Sequence, residues 1–431
     1  MDFQLPRGMR DIESEEYDVM ETIRDAFIET SNLFNFRLME PSPVEMLSTL
    51  EAKSGSSIRD EIYHFKDKGN RDLGLRFDLT IGLARYVSSR RDIPLPIRLG
   101  SFGSMFRYDE PQYGRYRWFY QWNAEVFGPS VVDADAEIID LTSSLMKKLG
   151  LGDAIIRIGD RSIAEGYIRE KLSEDNDTRV SEMLRSLDKM GKKSVEEITD
   201  EAVKKGISKE KLALLFDFAK VRGNSNDVLS KTNELGYAEG GDLRRLVEAL
   251  EVRGVGNLEI DLGLVRGLDY YTGIVFEVFD GTDNRIGALA GGGRYDILTK
   301  ILGRPEIGAV GVAGGVERTI IAMKGKNSEV SGKDRRPGLV YVAYANQKLK
   351  QEAIRLAREL REGGIPASYD LVERNLKKQF QSASGMNAQV VVLVAPEEFS
   401  KGELILRNMV SGDEMRINKS SIRDTLIQTL K

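Results

Sequence analysis

Apolar residues first recur at helical spacing between residues 15 and 31. There Tyr17, Met20, Ile23 and Phe27 stand among polar neighbours and predict an amphipathic helix. That period is then lost. FRLMEPSPVEM and EIYHFKD are short apolar runs broken by Pro41, Pro43 and Gly69, the pattern of brief strands. RDLGLRFDLTIGLARYVSSR reads as a strand to about Phe77 and a helix from about Thr80. Residues 97–108 and 117–127 are apolar and aromatic and flank the polar, glycine-containing DEPQYGRYR, which predicts a long hairpin. DADAEIIDLTSSLMKKL restores the helical period.

From about 160 to 250 the chain is dense in Lys, Glu, Asp, Leu and Ala. Ser194 and Glu197 have capping-box spacing, and SKEKLALLFDFAKV predicts a further helix, so this stretch reads as a helical insertion. Strands and glycines return over 257–320. KGKNSEVSGKDRRPG (324–338) is a polar linker. Beyond it a strand, GLVYVAYA, precedes a helix closed by Gly363. IPASYD, a helix near 375–384 and the strand AQVVVLVA repeat the alternation, which implies a βαβ unit and a partly parallel sheet. The expected organisation is a catalytic-sized unit over 1–325 with its insertion, a linker at 326–336, and an α/β domain over 337–431.

Composition narrows the chemistry. At 431 residues the chain exceeds one ordinary core. Its 63 Lys and Arg against 68 Asp and Glu give a net charge of −5, which excludes a wholly basic nucleic-acid coat but not a local basic face. Residues 337–431 hold 14 basic and 11 acidic residues, about +3, while the rest is about −8. That balance suits RNA contact and an ordinary solvated surface equally. Cysteine is absent, so disulfides, a thiolate nucleophile and Cys-based zinc sites are excluded. The single histidine, His64, rules against a His-rich metal centre or a Ser-His-Asp triad and reads as a surface or strand-packing residue. No apolar run approaches the ~18 residues of a membrane span, and MDFQLPRGMRDIESEE lacks the apolar core of a signal peptide. A soluble cytoplasmic protein is expected.

The richest chemistry lies in LVRGLDYYTG (264–273) and LAGGGRYD (289–296). Arg266 sits in an apolar stretch that reads as a strand, just before Asp269, Tyr270 and Tyr271. A guanidinium there is costly to bury without an anionic partner. Three glycines before Arg294 and Tyr295 allow a backbone to approach a ligand closely. Together the segments suggest a concave site for an anion and a small polar molecule. The alternative is an Arg–Asp ion pair and a glycine turn.

FRYDEPQYGRYRWFYQ (106–121) adds Arg107 at the end of one hairpin arm, and Arg115, Arg117 and Phe119 beyond the loop. An arginine there can grip a phosphate bidentately, and an aromatic can stack on a base. An exposed basic hairpin with cross-strand aromatic pairs is the competing reading. GAVGVAGGVERTII (308–321) is neither G-x-G-x-x-G nor a P-loop. Arg318, at its strand–helix junction, either reaches a terminal phosphate or pairs with Glu317. Asp78 and Thr80 follow a strand, while Gln121 and Glu125 alternate onto one face of the second hairpin arm. Such acids, amide and hydroxyl suit a ligand ammonium.

In combination these segments resemble the histidyl-tRNA synthetases, members of the class II aminoacyl-tRNA synthetases, over nearly the whole chain. LPRGMRD resembles the family's N-terminal segment, SPVEM the dimer-interface motif 1, FRYDEPQYGRYRWFYQ motif 2 and GVAGGVERTI motif 3. LVRGLDYYTG and AGGGRYD are similar to the two histidine-specific signatures. LRFDLT, with Asp78 where many bacterial relatives carry Glu, is closer to the archaeal and eukaryotic form. The terminal βαβ unit resembles an anticodon-binding domain.

The resemblance implies an α+β catalytic domain on a mostly antiparallel sheet, and ATP-dependent ligation of L-histidine to tRNA(His) through histidyl-adenylate. It implies ATP and Mg²⁺, a homodimer and no membrane. Arg107 and Arg266 would act catalytically on the α-phosphate and the histidine carboxylate. Arg115 and Arg318 would hold the γ-phosphate, and Phe119 would stack on adenine. Asp78, Leu79, Thr80 and Gln121 would surround the α-ammonium, Glu125 and Tyr271 would bond the imidazole, and Tyr270 and Tyr295 would line the pocket. The competing readings are the regulatory subunit of ATP phosphoribosyltransferase, on the same fold, and another class II synthetase.

Overall fold

The computed structural model describes residues 3–54, 56–110, 114–128, 130–190, 193–234, 241–266, 271–326 and 338–430. The chain divides into two compact units, Met1–Gly332 and Lys333–Lys431.

A nine-stranded sheet organises the first unit. Its strands run in the order Arg37–Leu38, Ile97–Phe106, Trp118–Gly128, Gly308–Gly315, Ala288–Arg294, Ile274–Phe279, Ile155–Asp160, Leu258–Asp261 and Arg222–Gly223. Two neighbouring pairs are parallel, Arg37–Leu38 with Ile97–Phe106 and Ile155–Asp160 with Leu258–Asp261; the others are antiparallel. The predicted hairpin is present, with Met105 opposite Phe119. Glycine is required where the central strands meet: a Cβ on Gly292 would lie 2.0 Å from the Gly311 carbonyl oxygen.

The helix Ser14–Leu33 buries Val19, Met20, Ile23, Ala26 and Phe27. Phe27 meets Trp122 of the sheet with ring centroids 5.7 Å apart. Fully burying such side chains stabilises by roughly 1.5–3 kcal/mol each. Tyr17, counted in the apolar period, is exposed. A small sheet of Val44–Met46, Asp72–Leu75 and His64–Lys66 flanks this core, with His64 on its surface. The helix Leu47–Ser54, unread in the sequence, follows its first strand.

The helical stretch runs from the end of Ile155–Asp160 to Leu258–Asp261 and contributes the sheet's edge strand, Arg222–Gly223, on the way. The capping box of Ser194 and Glu197 is formed, and a helix spans Lys209–Ala219 as predicted. Its apolar residues, among them Leu184, Leu212 and Leu246, belong to the same core cluster as Trp122 and Ile158 of the sheet. The insertion therefore shares the sheet's core.

The second unit is a five-stranded sheet in the order Ala367–Tyr369, Val340–Tyr344, Val390–Val394, Glu403–Asn408 and Glu414–Asn418. The first three are parallel, as the alternation predicts; the last two are antiparallel additions that it did not reveal. Val340–Tyr344 is buried throughout: Val340 and Val342 pack in one cluster with Leu356 and Leu360, and Tyr341 and Ala343 in another with Ala383. Most of the predicted linker, 327–336, lies outside the described residues. No helix among the described residues is long and apolar enough to cross a membrane.

Candidate active site

A cavity of about 1020 Å³ opens on the first unit's sheet, and eleven of the thirteen sequence-predicted site residues line it. The exceptions are Leu79, whose side chain is fully buried in an apolar cluster with Ile81 and Leu83, and Tyr270, which with Asp269 lies outside the described residues.

One end of the cavity is built on the second hairpin arm. The two-residue strand period brings Phe119, Gln121 and Glu125 to its wall. Glu125 is buried and its carboxylate is held from three directions. Oε1 accepts from Thr80 Oγ1 at 2.7 Å and from Asn123 Nδ2 at 3.1 Å, and Oε2 accepts from the Tyr295 hydroxyl at 2.5 Å. Asn123 also donates to Thr80 Oγ1 at 3.1 Å. Asn123 went unread in the sequence, although it falls between Gln121 and Glu125 on the same strand parity. Opposite, a Cβ on Gly311 would lie 1.4 Å from Glu125 Oε2, so only glycine admits this carboxylate. Gln121 Oε1 is buried and accepts no hydrogen bond among the described residues, an acceptor placed for a ligand donor. Asp78 accepts from Ile81 N at 3.1 Å at the start of the helix Thr80–Ser89.

The other side is cationic. Arg107 donates through Nε to the Phe77 carbonyl at 2.9 Å, and its guanidinium lies 5.1 Å from the Phe119 ring centroid. Arg318 stands in the first turn of the helix Val316–Gly325 and donates to the Ala288 carbonyl at 2.9 Å. Burial, with Arg115 and Arg107 nearby, lowers its pKa. Like charges so grouped favour an anionic occupant.

Arg266 is not on a strand, contrary to the sequence expectation. It follows a turn after Leu258–Asp261 with φ of +52°, a conformation that no strand residue adopts. Left-handed backbone at a non-glycine residue costs about 1–2 kcal/mol and clusters at functional sites. Its Nε lies 3.9 Å from Glu277 Oε1, and its guanidinium 5.5 Å from the Tyr271 ring centroid. A Cβ on Gly291 would fall 2.2 Å from Arg266 Nη1, which explains one glycine of the GGGRYD segment.

Two arginines serve the frame instead. Arg294 pairs with buried Asp135 at 2.8 Å and with Asp296 at 3.4 Å, and donates to the Val131 carbonyl. Arg117 bonds the Asp109 and Arg7 carbonyls, and its backbone N–H donates to Gly8, tying the N-terminal segment to the hairpin.

Glu317 makes no ion pair with Arg318. Its carboxylate accepts from Tyr120 N at 3.0 Å and lies 3.8 Å from Arg10. Burial raises its pKa from 4.5 to about 7. The folded chain thus keeps a proton that the unfolded chain has lost across that window, and stability falls as pH rises through it, by at most about 3 kcal/mol. Glu317→Gln, isosteric with the protonated acid, is expected to flatten thermal stability between about pH 4.5 and 7; an unchanged profile would place the titration elsewhere.

The histidyl-tRNA synthetase family model matches residues 8–319, the span that carries this geometry. The chain belongs to the histidyl-tRNA synthetase family. An anticodon-binding-domain model matches residues 339–429. The histidine–tRNA ligase of Thermococcus kodakarensis is 34% identical, with 98% of each chain covered, and that of Pyrococcus furiosus 33%, with 99% of each. The solved histidyl-tRNA synthetase of Nostoc sp. PCC 7120 superposes with a TM-score of 0.81 at 22% identity over all of both chains. A Bacillus halodurans protein described as an ATP phosphoribosyltransferase regulatory subunit/histidyl-tRNA synthetase gives 0.75 at 24%, covering 92% of this chain and 99% of that one.

Proposed function

We propose that this chain ligates L-histidine to tRNA(His) in the cytoplasm, using ATP and releasing AMP and pyrophosphate. The observation that carries this reading is the buried Glu125 carboxylate, fixed by Thr80, Asn123 and Tyr295 in a cavity it shares with Arg107, Arg115, Arg266 and Arg318. An acid so held suits an imidazole N–H, and the arginines suit phosphates.

In the first step a histidine carboxylate oxygen bonds to the α-phosphorus of ATP and pyrophosphate leaves. Arg107 and Arg266 hold the α-phosphate and the carboxylate. Arg115 and Arg318 hold the γ-phosphate, and Phe119 stacks on adenine. Asp78 and Gln121 receive the α-ammonium. Thr80 donates to Glu125 and accepts from Asn123, so its main part is to hold Glu125. Glu125 and Tyr271 bond the imidazole, beside Tyr295. In the second step a terminal ribose oxygen of tRNA bonds to the acyl carbon and AMP leaves. Catalysis here is positioning and charge stabilisation.

Among the described residues no cluster of three or more acids or histidines could hold a metal alone. Mg²⁺ ordinarily binds through one or two carboxylates plus substrate phosphates and water. Glu277, facing Arg266 and acting on Arg318, is the carboxylate that fits such an ion. Bound there, Mg²⁺ would neutralise phosphate charge.

We assign the chemistry to residues 1–325 and anticodon contact to 337–431. ATP–pyrophosphate exchange across the amino acids tests the whole reading: exchange is expected only with histidine. Equal exchange with glycine, proline or threonine, or none with any amino acid, would refute it.

The small sheet supports a homodimer. Val44 and Met46 on its first strand and Phe65 on another are exposed apolar side chains. Sedimentation at micromolar concentration is expected to give twice the 48.3 kDa chain mass. A fully active monomer would contradict this.

A further inference from the structure

The cavity extends past the arginine cluster. Along the strand Ile274–Phe279 its lining continues from Glu277 to Phe279, and Arg157 stands opposite Glu277 in register. The Arg157 guanidinium lies 4.3 Å from the Phe279 ring centroid. The helical insertion closes this arm with Met190, Ala219 and Arg222. Neither Arg157 nor Phe279 has a part in adenylate formation as proposed above. The whole cavity, about 1020 Å³, also stands at the upper limit of single small-molecule pockets, roughly 300–1,000 Å³.

The arm's chemistry differs from that of the cluster. Arg157 is paired with Glu259 at 2.8 Å, and Arg222 faces Asp261 at 3.8 Å. Asp188 also reaches the lining. Charge is therefore balanced, which disfavours a polyphosphate. What the arm offers is a flat surface, an aromatic ring with a guanidinium stacked on it, suited to a neutral heteroaromatic. Its distance is also suitable. Two residues of strand separate Phe279 from Glu277, about 7 Å, and Glu277 meets Arg266. That is about the distance from the ring centre of a base to the terminal hydroxyl of its ribose.

We infer that this arm seats the nucleobase of the 3′-terminal nucleotide of the tRNA, stacked on the Phe279–Arg157 pair, so that the ribose hydroxyl reaches the acyl group beside Arg266. This assignment rests on the ligase reading above and gives the transfer step its own residues.

The test separates the two steps. For Phe279→Ala, histidine-dependent pyrophosphate exchange is expected to stay within about twofold. Single-turnover transfer from enzyme-bound histidyl-adenylate to tRNA(His) is expected to slow by about ten- to a hundredfold, the scale of one lost base stack. Phe279→Trp should restore most of the transfer rate. Removing the tRNA's terminal adenosine should weaken its competition with intact tRNA for the parent enzyme but hardly for Phe279→Ala. Transfer at the parent rate would overturn the inference. A parallel fall in exchange and transfer would do so too, placing Phe279 in the adenylate site. Arg222→Ala, on an exposed side chain, guards against a misfolded variant: slowed transfer with normal exchange supports the arm, and normal transfer rejects it. A parent protein without histidine-dependent exchange would instead refute the ligase reading.

Discussion

Arg266→Ala is expected to lower kcat for adenylate formation by about 10²–10³ with little change in ground-state ATP binding, the loss typical of removing one preorganised charge-stabilising donor. The reason is local. Arg266 occupies a strained backbone position, in a gap that Gly291 leaves for its guanidinium, with Glu277 and Tyr271 beside it. A fixed cation placed at such conformational cost stabilises charge that grows as the α-phosphorus becomes crowded. Arg266→Lys should recover only part of the rate, because a point charge cannot reproduce the planar fork. Circular dichroism and thermal melting should match the parent protein. A variant that unfolds, or that forms adenylate at nearly the parent rate, would make Arg266 a frame residue like Arg294.

The second large effect is expected at Glu125. Glu125→Ala removes the buried acceptor shared by Thr80, Asn123 and Tyr295. Truncating one partner of a buried, hydrogen-bonded charge costs about 2–5 kcal/mol. The specificity constant for histidine should therefore fall by about 10²–10³, carried mainly by KM for histidine, while KM for ATP moves little. Gly311→Ala should produce the same selective defect, since its methyl group would occupy the carboxylate's place. Equal rises in both KM values would instead show a general collapse of the cavity.

These two sites were not equally legible in the sequence. Glu125 and Gln121 could be placed on one face because a strand's side-chain period is fixed by its backbone. The same rule would have supplied Asn123. Arg266 was recognised as a functional cation, yet its strand assignment failed. Leu264 and Val265 suggest a strand by composition, whereas in the fold Leu264 packs against Gly159 and the guanidinium of Arg266, whose φ is positive, against Gly291, residues distant in sequence. Arg294 and Arg318 show the same limit. Arg294 meets the nearby Asp296 at 3.4 Å but more closely the distant, buried Asp135 at 2.8 Å, and Arg318 turns away from Glu317. Local pattern finds elements and candidate charges; tertiary packing chooses partners. The terminal βαβ unit was legible because its buried strands and amphipathic helix are local signals, while the antiparallel additions carry exposed residues in Glu414–Asn418 and blur into loop composition.

The strand order has a consequence for biosynthesis. Trp118–Gly128, which carries Glu125, pairs on one side with the preceding strand but on the other with Gly308–Gly315. Roughly 180 residues, including the whole insertion, must be translated before that second partner exists. At about 5–20 residues per second the wait is on the order of 10–40 s. For that time the nascent chain carries an unpaired strand edge bearing the ligand-reading residues, next to apolar Trp122 and Phe127. Open edges of this kind recruit other chains. The residues that read the substrate thus stay unshielded for most of the first unit's synthesis, and a ribosome-associated holdase should matter more to this protein than its folded stability would suggest.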